Sequence, residues 1–334
     1  MVSLADVRAH NATLKSLAPN LVAIFVGGTS GISHYTALEF ARNTRSPHIY
    51  LVGRNQTAAA NITAELKSIN SSSTVEFIKK DVSLLRQVDE ACKEIKGKEK
   101  KVNLLFMTVG YLTLKGRNET EEGLDHKFAL NYYARARFMH NLAPLLDAAA
   151  KDDDSKATLS RVFSVYDPAL GKNRDFNFSD PSLKENFSVR NCATHGSALG
   201  NFAMEHLAKQ WPNTSFIHEM PGIVETRAGG SLWLKALYTV LSPFSVDKKE
   251  SGERHLFAAT APRYAPRAKA DSVEGVVDGA DGIKGSGHYH LSWNGETQAS
   301  TKRADKMRAE GAEAKLWTHT TEVFRKICEE GGKY

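Results

Sequence analysis

Short apolar runs alternate with amphipathic stretches along most of the chain. The first run, at 21–27 (LVAIFVG), is apolar throughout, which is typical of a strand buried on both faces of a sheet. Stretches such as SHYTALEFARN and SALGNFAMEHLAKQW have the apolar spacing of helices. This alternation predicts βαβ units and a parallel sheet. Further strands of the same type are predicted at 48–53, 74–78, 102–109, 161–165, 214–220 and 288–293.

The predicted architecture is a single α/β domain over 1–334, with a doubly wound parallel sheet of about seven strands and helices on both faces. An insertion at 224–275 follows the sixth strand and contains the amphipathic stretch SLWLKALYTVLSPF. That stretch predicts an apolar lid over a hydrophobic substrate. A surface helix or a dimer contact fits the same pattern equally well, so a homo-oligomer stays open.

The composition argues against a nucleic-acid partner. Of the 334 residues, 41% are hydrophobic and 25% are charged, which is ordinary for a globular protein with a large core. The formal net charge is +6, but it is spread along the chain without a dense block of Lys and Arg. Binding of an anionic cofactor is the better explanation for part of this positive charge.

Cysteine content and hydropathy bear on the compartment. The three cysteines, Cys92, Cys192 and Cys328, form no CxxC pair, which favours a reducing environment. The first twenty residues lack the apolar centre of a secretory signal, and no apolar run approaches the roughly 20 residues that span a bilayer. We therefore expect a cytoplasmic protein with no stable membrane span.

A glycine-rich turn lies between the first predicted strand and the first helix after it. Glycines let the backbone turn tightly, and the amides of the following helix attract a pyrophosphate. A plain strand–helix turn is the alternative, but the position of the glycines favours a Rossmann-like dinucleotide site. Its predicted binding residues are Gly27, Thr29, Ser30, Gly31 and Ile32.

The end of the second predicted strand indicates which dinucleotide is bound. Arg54 lies there, in LVGRNQT, and no acidic residue accompanies it. An acid at this point would bind the ribose 2′-hydroxyl, whereas an arginine suits a 2′-phosphate. The sequence therefore predicts NADP(H) rather than NAD(H), and a solvated loop charge is the competing interpretation of Arg54.

These features resemble the short-chain dehydrogenase/reductase family, above all its fungal members associated with secondary metabolism. FVGGTSGIS is similar to the TGxxxGxG turn of that family, with Val26 in place of Thr and Ser33 in place of the last Gly. The resemblance covers roughly residues 20–230. It implies further cofactor contacts at Asp81, Val82, Gly110, Pro221, Gly222 and Thr226.

The proton-transfer residues that the resemblance implies are mostly missing. Asn131, in HKFALNYYARARF, matches the Asn of the family's long helix. No Tyr-x-x-x-Lys occurs within 188–210, where Ala193 and Ser197 take the two places. His195 lies nearby, but an ordinary helical role is the better interpretation of this residue.

The family's Ser position falls on Asp167, with Tyr166 beside it. Asp167 also precedes Pro168, a common turn pairing, so a catalytic role and a turn role fit it equally. The candidate catalytic residues are therefore Asn131, Tyr166 and Asp167.

Three functions fit this pattern. The first is NADP(H)-dependent reduction of an activated C=N, C=C or C=O bond in a small hydrophobic natural-product intermediate. The second is a non-redox isomerisation or cyclisation, pericyclic chemistry included, on the same fold. The third is a catalytically inactive binding module. No metal is predicted, because His288 and His290 have no carboxylate at metal-ligand spacing.

Overall fold

The computed structural model describes residues 1–110, 113–152, 159–224 and 245–334. The strands of these residues form one parallel sheet, in the order β3-β2-β1-β4-β5-β6-β7. They are β1 (Val22–Val26), β2 (His48–Gly53), β3 (Thr74–Lys79), β4 (Leu104–Met107), β5 (Arg161–Val165), β6 (Ser215–Met220) and β7 (His288–Ser292). The predicted doubly wound sheet is thereby confirmed, and the strand order reverses between β1 and β4.

Helices cover both faces of the sheet. They are α1 (Leu4–Thr13), α2 (Gly31–Asn43), α3 (Gln56–Ile69), α4 (Leu85–Lys98), α5 (His126–Phe128), α6 (Ala134–Ala150), α7 (Ala169–Lys172), α8 (Val189–Gln210), α9 (Lys248–Thr260), α10 (Lys302–Ala309) and α11 (Ala312–Phe324). A π-helical turn, Ala129–Tyr133, joins α5 to α6. Side chains from α4, α6, α8 and α11 fill the core on one face, and those from α1, α2, α3 and α9 fill the other. Among the described residues, no helix combines the length and the apolar character needed to cross a membrane.

The helix α9 lies inside the 224–275 segment that the sequence assigns to a lid. It is a core helix: its residues 251–260 are buried, and a Cβ added to Gly252 would lie 2.6 Å from the carbonyl oxygen of Tyr35 in α2. Asp247 caps its first turn by accepting hydrogen bonds from Lys249 and Glu250. The lid prediction therefore concerns only residues 225–244, which lie outside the described part of the chain.

The helices near the two ends of the chain pack into these layers. On α1, the Asn11 amide donates to the carbonyl of Glu253 at 2.9 Å, which holds α1 on α9. On the opposite face, the Tyr133 hydroxyl lies 2.8 Å from Nε2 of His319 in α11. Tyr132 and Tyr133 are both fully buried, so they pack in the core rather than line a cleft.

Candidate active site at the carboxyl edge of the sheet

The glycine turn after β1 packs closely against the chain that follows β4. Gly27 has φ +82°, in the left-handed region that only glycine adopts at little cost. A Cβ at this position would lie 3.0 Å from Oγ1 of Thr108 and 3.1 Å from the amide nitrogen of Val109. Glycine therefore allows two neighbouring strand ends, those of β1 and β4, to meet without a side chain between them.

The N-terminus of α2 is open to a ligand. Ser30 is its N-cap residue and is exposed, yet its side chain makes no capping hydrogen bond. The first turn contains no acidic residue, so its amides and the helix dipole are not neutralised from within the helix. Thr29 is half-buried beside Gly53, whereas the side chain of Ile32 is buried in the core. Ser33, which stands in the family's third glycine position, is fully buried, and its hydroxyl has no hydrogen-bond partner among the described residues.

Arg54 and Asp81 lie together at the ends of β2 and β3. Nη1 of Arg54 is 3.5 Å from Oδ2 of Asp81, and the arginine side chain is 72% exposed. Burial acts to raise the pKa of Asp81, but hydrogen bonds from Ser83 and the charge of Arg54 hold it below its ordinary value. Val82 is buried, so its side chain belongs to the core. The edge of the sheet thus presents an exposed guanidinium supported by a carboxylate.

Gly110 and Asn131 form the next part of the site. Gly110 is exposed, and a Cβ added to it would lie 2.7 Å from Oδ1 of Asn131. Asn131 is half-buried and lies within the π-helical turn Ala129–Tyr133. Turns of this kind inside α-helices are frequent at functional sites because they redirect a side chain. The absence of a side chain at Gly110 leaves the Asn131 amide accessible from the strand ends.

Arg135 is a buried cation that the sequence reasoning missed. Its residue is 4% exposed, and Nη1 donates to Oγ of Ser164 at 2.7 Å and to the carbonyl of Val165 at 2.8 Å. Nη2 donates to the carbonyl of Val109, and Nε to that of Leu130. Burial lowers the pKa of Arg135 to about 10, so the group stays charged at neutral pH.

A signal for Arg135 was available in the sequence. It lies four residues after Asn131 in a helical stretch, so the two side chains share a helix face. An arginine on the same face as a predicted site residue indicates a charge directed into the protein.

Tyr166 and Asp167 follow β5 directly. The Tyr166 ring stacks on His218 with centroids 6.3 Å apart, and Cζ of Arg135 is 5.7 Å from its centroid. Burial, with smaller contributions from Cys192 and Asp167, raises the pKa of Tyr166 against the opposing charge of Arg135. Asp167 caps α7, because its Oδ1 accepts from the amide of Ala169 at 2.9 Å. The turn role of Asp167 is therefore visible in the structure.

The family's Tyr-x-x-x-Lys positions on α8 carry neither a tyrosine nor a lysine. Ser197, at the Lys place, donates to the carbonyl of Asp167 at 2.7 Å and accepts from the amide of Gly171 at 2.9 Å. His195 is also fully engaged: Nε2 accepts from Asn177, Nδ1 lies 3.2 Å from the carbonyl of Pro181, and its ring stacks on Phe176. Both side chains on α8 hold the loop after β5 in place.

His218 on β6 is a second residue that the sequence reasoning missed. Its Nδ1 donates to Oδ1 of Asn201 at 2.7 Å, while the Asn201 amide donates to the carbonyl of Pro168 at 3.0 Å. Burial and the charge of Arg135 lower the pKa of His218 to about 3. The ring is therefore neutral, with a fixed tautomer, beneath the Tyr166 ring.

Further polar groups are buried beside this cluster. The Lys172 amine donates to the carbonyl of Ala299 at 2.8 Å, and burial lowers its pKa to about 8. His288 and His290 lie on the same sheet face as His218, and burial lowers both pKa values. No described residue forms a hydrogen bond with their ring nitrogens. The described residues contain no group of three or more His, Cys, Asp or Glu suited to a metal ion.

The segment after β6 completes the edge. Pro221 and Gly222 follow Met220, the last residue of β6, and both are half-buried. Thr226 lies outside the described residues. The predicted residues Gly27, Gly110, Tyr166 and Pro221 therefore follow four adjacent strands, β1, β4, β5 and β6.

Comparisons with known proteins agree with this geometry. A sequence profile described as short chain dehydrogenase matches residues 21–155. An oxidoreductase of Emericella nidulans is 41% identical over 338 residues, which cover 97% of this chain and 98% of that protein.

Solved structures share the fold. L-sorbose reductase from Gluconobacter frateurii, complexed with NADPH and L-sorbose, has a TM-score of 0.56 at 17% identity, covering 86% of this chain and 99% of that chain. An NADH-dependent reductase complexed with NAD has a TM-score of 0.54 at 16% identity, covering 85% of this chain and 98% of that chain. From its fold, its strand-end residues and these relatives, the chain belongs to the short-chain dehydrogenase/reductase family of oxidoreductases.

Proposed function

We propose that the protein is an NADP(H)-dependent reductase that acts on an activated C=O, C=C or C=N bond of a small hydrophobic natural-product intermediate. The observation that carries this proposal is the set of groups along the carboxyl ends of the strands: the uncapped N-terminus of α2, the exposed Gly110 and the half-buried Tyr166. Ligands of doubly wound sheets bind outside these ends, where the strand order reverses.

The residues present fit a phosphorylated dinucleotide. The N-terminus of α2 has no side-chain cap and no acidic residue in its first turn, so its amides favour an anionic pyrophosphate. Arg54 supplies an exposed positive charge at the end of β2, where a 2′-phosphate would meet it. The nicotinamide of such a cofactor supplies hydride when it is bound.

We assign the proton-donor role to Tyr166. Burial raises the pKa of this phenol, so it keeps its proton at neutral pH and can donate a hydrogen bond to an acceptor. The positive charge of Arg135 near the ring stabilises the phenolate that remains when the proton passes to the substrate. Asn131 contributes an amide at the Gly110 opening, and Asp167 holds the turn that carries Tyr166.

An apolar substrate is expected from the sequence. The stretch SLWLKALYTVLSPF has the apolar spacing of a lid over a hydrophobic substrate, and it lies outside the described part of the chain.

A substitution at Arg54 tests the cofactor assignment. In Arg54→Gln, we expect NADPH affinity, measured by quenching of nucleotide fluorescence, to fall by about 10-fold or more, with NADH affinity little changed, because only NADPH carries the 2′-phosphate. Arg42→Gln is the matched control, since Arg42 lies in the last turn of α2 and pairs with Glu39. Equal affinity of the unaltered protein for NADPH and NADH contradicts the assignment.

We also propose that the protein works in the cytoplasm. All three cysteines are unpaired, and Cys92 and Cys192 are buried. Thiols without disulfide partners suit a reducing compartment. Cell fractionation of the natural host, with a cytoplasmic marker enzyme alongside, tests this location.

A further inference from the structure

Arg135 brings a positive charge into the protein without a negative partner. Every hydrogen bond that the structure gives its guanidinium goes to a neutral oxygen, from Val109, Leu130, Ser164 or Val165. No carboxylate of the described residues lies within ion-pair distance of it. A buried charge of this kind is expensive unless another group compensates it.

The position of Arg135 links it to the cofactor path. The Val109 carbonyl accepts from its Nη2, and the Val109 amide nitrogen lies against the Gly27 turn. Gly110, the next residue, is exposed, and a Cβ added there would lie 3.8 Å from Nη2 of Arg135. Among the described residues, the exposed Gly110 therefore lies next to the guanidinium and has no side chain to cover it.

The described residues accept hydrogen bonds from four of the N–H groups of Arg135 and leave one unused. A guanidinium has five N–H groups. One on Nε and two on Nη1 are used, and one of the two on Nη2 donates to Val109. The remaining hydrogen belongs to Nη2, the nitrogen closest to the Gly110 opening.

The groups around Arg135 do not cancel its charge. Tyr166 and His218 pack on one side of it, and both are neutral near pH 7, because burial raises the pKa of the phenol and lowers that of the imidazole to about 3. Ser164 and the carbonyl groups are neutral as well. The part of the site around Arg135 and Tyr166, which we call the reaction end, therefore has a fixed positive potential.

We propose that Arg135 is a specificity-determining residue, whose charge at the Gly110 opening favours the reduced cofactor and acceptors that gain negative charge. This inference rests on the proposed function and narrows its substrate class. The oxidised nicotinamide ring carries a positive charge that the reduced ring lacks, so a buried cation nearby weakens binding of the oxidised form. For the same reason a C=O bond, or a C=C bond conjugated to one, is favoured over a cationic C=N acceptor.

The test measures the ratio of the Kd for NADP⁺ to the Kd for NADPH, which requires no substrate. Arg135→Gln removes the charge but keeps an amide donor, and we expect the ratio to fall by about 10-fold. Titration calorimetry measures both constants, and thermal melting confirms that the variant is folded.

A pair of variants at Ser164 tests the charge of Arg135 without removing the arginine: one variant compensates the charge, and the other is its neutral control. Ser164→Asp places a carboxylate against Nη1, and Ser164→Asn places a neutral side chain of the same shape there. We expect the ratio to fall in Ser164→Asp and to stay at the original value in Ser164→Asn. This pair decides the question even where Arg135→Gln does not fold.

The outcomes separate the two proposals. A ratio that is the same in the original protein and in Ser164→Asp overturns the role of Arg135, while the cofactor assignment stands. If neither NADP⁺ nor NADPH binds to the original protein, the proposed function fails, and the role of Arg135 fails with it.

Discussion

Tyr166 is the side chain on which the proposed chemistry depends most. It replaces no residue of the family's helix; instead it follows the end of β5, where its ring stacks on His218 and its centroid lies 5.7 Å from Cζ of Arg135. The phenol is half-buried and neutral. In the proposed function this hydroxyl donates the proton, and α8 contributes none.

Removal of that hydroxyl gives a direct prediction. In Tyr166→Phe, we expect kcat to fall by about 10²-fold, the usual contribution of a positioned general acid. NADPH affinity should be unchanged, because the ring still packs on His218. Steady-state kinetics with any accepted substrate provides the measurement.

Tyr289→Phe is the control for this variant. Tyr289 is fully buried on the other face of the sheet, where its hydroxyl donates to the carbonyl of Ala265 at 2.7 Å. Its loss should cost about 1 kcal/mol of stability and leave kcat intact. A Tyr166→Phe enzyme as fast as Tyr289→Phe would refute the assignment.

At the scale of elements, the strands were predictable because six of them have both faces covered. Runs such as 21–27 are apolar throughout, and the structure buries every residue of β1. The predicted run at 102–109 extends beyond β4 on both sides, although the amides of Asn103 and Thr108 still donate to the carbonyls of Val22 and Val26 in β1. The edge strand β3 is recognisable even though only one of its residues, Ile78, is fully buried.

The helix α9 was missed for a definite reason. Its sequence, KKESGERHLFAAT, has charges on all sides and does not resemble a core helix. The structure pairs those charges: Glu253 with Arg8 of α1, and Arg254 with Glu250 one turn earlier. The Arg254–Glu250 pair is local to α9, but the pairing of Glu253 depends on the distant helix α1, which the pattern of α9 alone does not reveal.

The candidate site divides in the same way. Gly27, Arg54 and Asn131 were predicted as site residues because each follows a strand or lies on a helix in a recognisable motif. The spacing of Arg135 from Asn131 indicates only a shared helix face, whereas the partners of Arg135 and His218 come from contacts between α6, β5 and β6, which are distant in sequence. Sequence spacing describes the residues of one element at a time, whereas the contacts of Arg135 and His218 join three elements.

The β1–α2 turn supplies an element-scale prediction. In Gly27→Ala, we expect nucleotide affinity to fall at least about 10-fold and stability to fall by about 1–2 kcal/mol. The reason is the positive φ of Gly27 and the contact of the added Cβ with Val109. Gly97→Ala is the control: it lies in α4 with open space around its Cβ, so it should stabilise the protein by about 0.5–1 kcal/mol. Urea denaturation and nucleotide titration measure both effects, and a Gly27→Ala protein that binds NADPH normally contradicts the prediction.

At the scale of the whole molecule, histidines make the fold sensitive to acid. Burial lowers the pKa of His10, His255 and His319 to about 4 and, with Arg135, that of His218 to about 3. The unfolded chain takes up protons at these side chains below about pH 6.5, while the folded chain does not. Stability is therefore complete above pH 6.5 and is lost as the pH falls toward 4.

The expected size of this loss is about 1.4 kcal/mol per pH unit for each such histidine. Glu219 has the opposite effect on the pH dependence of stability, because burial raises its pKa. It is a single group, so the histidines together outweigh it. Urea denaturation at pH 7.5 and pH 5.5 should thus show a drop of several kcal/mol in the free energy of unfolding. An unchanged value across this range contradicts the prediction.

The placement of Tyr166 on a loop, apart from the helix that carries Arg135, has a consequence for protein engineering. The proposed acid and the charge belong to separate elements, so residue 166 can be varied in a mutant library while the guanidinium keeps its hydrogen bonds to Val109, Ser164 and Val165. A designer can therefore exchange the reactive group without rebuilding the electrostatic frame that surrounds it.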